Sequence, residues 1–183
     1  MVGRLNRLFV AVEVPDESRH LLAAAMKDRL SVPAGMVPPR NWHVTIRFLG
    51  PTDDVTRDRL LAEIDGADLG PPFRIRLNGL GTFPAPRRAT VLWAGVDRGG
   101  LRLEGLAATV EGIAQALGYP PEDRPYRPHL TLARLRPALD LRPVLSDVTL
   151  PPIEFMVEAL SLFASSLGGG PARYEVLERF PLD

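Results

Sequence analysis

A repeat restricts what this chain can fold into more than any other feature. The runs HVTI at His43 and HLTL at His129 stand 86 positions apart, and their surroundings match as well. Each follows a β-branched run (residues 8–14, LFVAVEV; residues 89–96, ATVLWAGV), a helical stripe and a proline-rich approach (residues 32–40, VPAGMVPPR; residues 120–128, PPEDRPYRP). The first stripe begins at Asp16, Glu17 and Ser18 and continues through Leu21, Leu22, Ala25 and Leu30. The second runs Leu103, Leu106, Val110, Ile113 and Leu117, with Gly118 as its stop. Beyond the first HxT run come a helix over residues 53–64 and a strand over 73–83. Beyond the second, residues 153–163 read as one strand whose FMVEALSLF overlays IRLNGLGTF, and a hairpin at 168–170 returns as 173–180.

Two units are too few for a solenoid, and each must bury its apolar face against the other. The expected architecture is therefore bilobal α+β with pseudo-twofold symmetry, two mainly antiparallel sheets facing a central groove with helices outside. The whole of 1–183 forms one domain of two interlocked lobes, with repeat units of about 7–83 and 89–180.

Composition narrows the function. Basic and acidic residues both number 22, so no net field exists to hold long nucleic acid by charge alone. With no cysteine, thiolate metal sites, disulfides and cysteine nucleophiles are excluded. No run of about 18 apolar residues is present, and Arg4, Arg7 and Glu13 interrupt any signal-peptide core, so a cytoplasmic monomer is expected. Of the basic residues only Lys27 is lysine, a bias that a GC-rich coding sequence explains for most positions; individual arginines have to be argued from place.

The chemistry concentrates in the repeat. Strand side chains alternate, so His43 and Thr45, and likewise His129 and Thr131, project to one side while Val44, Ile46, Leu130 and Leu132 face a core. The same alternation puts Arg47 beside His43 and Thr45, within reach of a phosphate. Two imidazoles with ordinary pKa near 6.5 are suited to displacement at phosphorus, one taking a proton from the attacking oxygen and one giving a proton to the leaving oxygen, while hydroxyls donate to the equatorial oxygens. The remaining histidine, His20, lies in the first helix and reads as a surface residue. No third histidine and no cysteine is placed to complete a zinc site, so neither metal nor cofactor is expected.

HVTIRFLG at residues 43–50, RPHLTLAR at 127–134, GLGTFP at 79–84 and LGGGPARYEVL near the end resemble the bacterial RNA 2′,3′-cyclic phosphodiesterases, the 2′-5′ RNA ligase-like branch of the two-histidine phosphoesterases. That resemblance spans essentially the whole chain. It implies the bilobal α+β fold, independence of metal, and opening of a 2′,3′-cyclic phosphate at an RNA or nucleotide end to leave a 2′-phosphate. It implies His43 as donor to the leaving oxygen, His129 as base for water, Thr45 and Thr131 as phosphate donors, and Arg134 as a phosphate contact. Regular alternation from His129 puts Arg134 on the opposite face. Two alternatives stay open at this level: end joining through a 2′-5′ linkage, and a nucleotide- or RNA-binding module without catalysis.

Overall fold

The computed structural model describes residues 6–27, 32, 35–166 and 172–183. In chain order the elements are β1 (Asn6–Glu13), α1 (Asp16–Met26), β2 (His43–Thr52), α2 (Asp54–Asp65), β3 (Phe73–Phe83), β4 (Ala89–Arg98), α3 (Gly100–Ala116), β5 (His129–Leu139), α4 (Arg142–Asp147), β6 (Ile153–Val157), β7 (Ala159–Ser166) and β8 (Arg173–Pro181). Short 3₁₀ turns at Pro39–Asn41 and Pro86–Arg88 precede β2 and β4.

The strands form one antiparallel sheet in the order β6-β3-β4-β5-β2-β1-β7-β8. Read from the middle outward, β5 mirrors β2, β4 mirrors β1, β3 mirrors β7 and β6 mirrors β8, so the sequence repeat reappears as a twofold order about the β5–β2 seam. Two separate sheets were expected. Instead the halves are continuous, because Val44 pairs with Leu130 across the seam, the only residue pair β2 and β5 share.

Alternation builds the layers. On β1, Leu8, Val10 and Val12 are at most 1% exposed and join Leu22 and Met26 of α1, Leu60 and Ile64 of α2, and Leu103, Leu106 and Val110 of α3 in one apolar cluster. Burying such side chains contributes roughly 1.5–3 kcal/mol each. The intervening Phe9 and Ala11 lie on the other face, in a small separate cluster with Phe163. Helix α2 starts where Asp53 accepts from the Thr56 amide at 2.9 Å, which satisfies one of its free first-turn donors.

One further expectation needs amendment. The apolar run 153–163 is not one strand: it breaks at Glu158, so that β6 pairs with β3 at one end of the sheet and β7 pairs with β1 near the other. The short helix α4 stands between β5 and β6. Helix α1 spans Asp16–Met26, and Leu30, the last residue of the first stripe, lies outside the described residues. Strands β7 and β8 pair antiparallel as expected, and the turn assigned to 168–170 lies outside the described residues. No helix among the described residues is long and apolar enough to cross a membrane.

Candidate active site

The seam assembles the two HxT runs. With Val44 opposite Leu130 in antiparallel register, His43 lies across from Thr131 and Thr45 across from His129, on the face opposite the buried Val44 and Leu130. Diagonal neighbours of this kind stand about 7–8 Å apart in a regular ladder.

Each imidazole is tethered in the same way. His43 Nδ1 donates to the Asn41 carbonyl at 2.8 Å, and His129 Nδ1 donates to the Arg127 carbonyl at 2.6 Å. Both tethers run two residues back, and among the described residues neither Nε2 has a hydrogen-bond partner. The Asn41 carbonyl is itself fixed, because Asn41 is buried and its Nδ2 donates to the Ala172 oxygen at 2.7 Å, just ahead of β8. Aromatic rings wall the histidines. His43 lies 4.8 Å from Phe9, 6.0 Å from Phe163 and 5.3 Å from Tyr174; His129 lies 5.1 Å from Phe83 and 6.1 Å from Trp93, measured between ring centroids. Gly81 beneath Trp93 has to be glycine, since a methyl there would fall inside the indole ring.

These walls set the proton affinities. Burial lowers the His43 pKa to about 4, against the raising effect of the Asn41 carbonyl, and the charges of Arg134 and His129 push it down further. His129 is also lowered, by burial first and by Arg134 second, with the Arg127 carbonyl opposing. Both imidazoles thus bind a proton less readily than a free one does.

The regular alternation assumed for the arginines fails in both copies, for one reason. Ala11 pairs with Thr45 but Val10 pairs with Arg47, which leaves Ile46 as an extra residue; Trp93 pairs with Thr131 but Leu92 pairs with Ala133, which leaves Leu132 extra. Each strand thus carries a bulge just after its threonine, and each bulge exchanges the faces of everything beyond it. Arg134 consequently lands on the histidine face, opposite Val91, and its charge reaches both imidazoles. Arg47 lands on the buried face, opposite Val10, and is 7% exposed. The expectation that Arg47 contacts phosphate is therefore corrected: its Nε stands 2.5 Å from Glu111 Oε2, its Nη1 meets Glu122 Oε1, and its Nη1 and Nη2 donate to the Phe48 and Pro120 carbonyls at 2.7 and 2.6 Å. The Arg47–Glu111 contact is an ion pair without hydrogen-bond alignment. The place on the histidine face goes to Phe48, which pairs with Phe9, is 44% exposed and carries the Arg7 guanidinium 5.7 Å from its ring centre.

Sequence reasoning passed over Phe48 and Asn41. Phe48 was legible only from the HxTxxR/HxTxxF correspondence between the copies; Asn41 had no signal beyond standing two residues before His43. His20 takes no part in these contacts.

Comparison with known proteins shows the family. Residues 9–169 match the model of the 2′-5′ RNA ligase superfamily. A Thermus thermophilus protein called RNA 2′,3′-cyclic phosphodiesterase is 40% identical over 96% of this chain and 90% of its own length. The Escherichia coli protein of the same name is 30% identical over 97% of both chains. The crystal structure of E. coli LigT complexed with 3′-AMP superposes with a TM-score of 0.82 at 29% identity, covering 97% of this chain and 98% of that one. The duplicated HxT strands, their matched bulges and these relatives lead to one conclusion: the chain belongs to the 2′-5′ RNA ligase superfamily.

Proposed function

We propose that this chain hydrolyses the 2′,3′-cyclic phosphate at RNA ends to a 2′-phosphomonoester and a 3′-hydroxyl, without a metal. Water attacks phosphorus as the bond from phosphorus to O3′ breaks. In the assignment the resemblance implies, His129 Nε2 takes the proton of water and His43 Nε2 gives one to O3′. Thr45, Thr131 and Arg134 hold the phosphate oxygens that gain charge in the transition state. The observation that supports this reading is the pair of matched Nδ1 tethers on either side of the Val44–Leu130 seam, which keep the Nε2 of each ring for proton transfer. The names of the relatives support the substrate.

The lowered proton affinities add a condition. Burial disfavours the charged form of both rings in the free protein, so the implied assignment requires His43 to carry a proton once the phosphate anion is bound. An anion near both rings raises both pKa values and so favours that state. Among the described residues no three His, Cys, Asp or Glu side chains gather as a metal site. The test is incubation of the purified protein with a 2′,3′-cyclic nucleotide in EDTA. The expected product is the 2′-phosphate isomer at an undiminished rate. Formation of the 3′-phosphate, or loss of activity restored by one divalent ion, overturns the proposal.

A further inference from the structure

Acid–base catalysis by two imidazoles depends on their spacing, and the direct pairing of β2 with β5 does little to hold it. These strands share only the Val44–Leu130 pair. The approach to β2 adds a connection onto β5, where the Val37 amide donates to the Leu132 carbonyl and the Arg134 amide to the Gly35 carbonyl, both at 2.8 Å. The approach to β5 makes the matching connection onto β2. From that segment, the Pro120 carbonyl accepts from Arg47 at 2.6 Å, the Glu122 carboxylate meets the same guanidinium, and the Tyr126 hydroxyl donates to the Thr45 carbonyl at 3.0 Å. Arg47 is held in turn by Glu111 of α3, and Glu111 also accepts the Glu122 amide at 3.0 Å. All three attachments land on β2 within four residues of His43.

The Tyr126 bond is a side-chain link between the first motif and the approach to the second. Its acceptor belongs to Thr45, two residues after His43, and its donor stands three residues before His129. Pro125 and Pro128 flank that stretch, and their fixed φ makes it stiff, so a displacement at Tyr126 is passed on to His129 rather than absorbed.

We infer that Tyr126 and Arg47 are positioning residues, a strap between the lobes that sets the distance from the His43 imidazole to the His129 imidazole. This rests on the two-histidine reading above. Neither residue touches the phosphate; both act through the spacing of groups that do.

The experiment compares Tyr126→Phe, which deletes a single hydroxyl, in the wild-type and His129→Ala backgrounds, on a 2′,3′-cyclic nucleotide. In the wild-type background kcat falls about 5- to 30-fold, the scale expected when reacting groups are displaced by a fraction of an ångström, while KM stays within about twofold. In the His129→Ala background the residual kcat changes less than about twofold, since no second imidazole remains to be spaced. Arg47→Lys, which keeps the charge but loses the fork, gives the same pattern. A near-normal kcat in both strap variants overturns the inference, and so does an equal loss in both backgrounds, the mark of a purely structural role. Full activity in His129→Ala alone, or an inactive wild type, is a different failure: it overturns the two-histidine reading itself.

Discussion

Replacing Glu111 should destabilise the protein more than replacing either of its partners in the Arg47 network. The exposures decide the order: Arg47 is 7% exposed, Glu111 22% and Glu122 50%. An ion pair open to water contributes about 0–1 kcal/mol, and Glu122→Ala should cost no more than that. Breaking a buried pair costs about 3–5 kcal/mol, chiefly because the abandoned charge stays buried. Glu111 is partly wet, so that figure has to be discounted, and Glu111→Ala should cost about 2–3 kcal/mol. Arg47→Met should cost less, about 1 kcal/mol, because the carboxylates it abandons can hydrate and Glu111 keeps its bonds to Gln115 Nε2 and the Glu122 amide. The double variant Arg47→Met/Glu111→Met leaves no stranded charge and should be more stable than Glu111→Ala alone. Urea denaturation of the four variants gives the comparison, and calorimetry should place Glu111→Ala about 4–12 °C below wild type. The reasoning fails if Glu122→Ala costs as much as Glu111→Ala, or if the double variant is no more stable than Glu111→Ala.

Three further outcomes follow from the site. His43 has a folded pKa below its unfolded value, so protons favour the unfolded chain: the stability it contributes is present above about pH 6.5 and is lost as pH falls toward about 4, up to roughly 3 kcal/mol. His43→Gln should flatten that slope in denaturation curves, and an unchanged slope contradicts the depressed pKa. The kcat/KM profile of the free enzyme should peak between about pH 4 and 6.5, since both histidines are lowered, whereas the kcat profile should lie to its alkaline side because a bound phosphate raises both; an acidic limb of kcat/KM at or above pH 7 would contradict this. Thr45→Ala and Thr131→Ala should each lower kcat/KM by an amount corresponding to about 1.5–3 kcal/mol, the range for a hydrogen bond to a charged group, with little change in unfolding midpoint; a steady-state loss as deep as that of a histidine variant would assign the hydroxyl a larger part.

Much of this arrangement was legible because alternation and repetition act locally. The HxT pairs, the buried Val44 and Leu130 and the matched flanks all come from periods of two and from spacing along the chain. What escaped depends on partners. A single pair, Val44–Leu130, makes one sheet out of two, and nothing in either strand announces it. The run 153–163 keeps its apolar character while changing neighbours at Glu158, a change its own residues do not encode. The bulges at Ile46 and Leu132 reversed the faces of Arg47 and Arg134 together, since strict alternation cannot foresee an added residue. Comparison of the copies held the remedy: the fifth residue after each histidine, Phe48 or Arg134, reaches the histidine face in both.

The central claim is that two histidines act as one unit on a cyclic phosphate, and the most direct measurement is turnover of a 2′,3′-cyclic nucleotide by His43→Ala, His129→Ala and the double variant, in EDTA. Each single variant should lose roughly 10²- to 10⁴-fold in kcat, the range for a positioned proton-transfer group, and the double should lose far less than the product of the two. A single variant that keeps near-normal turnover, or losses that simply multiply in the double, would contradict the account.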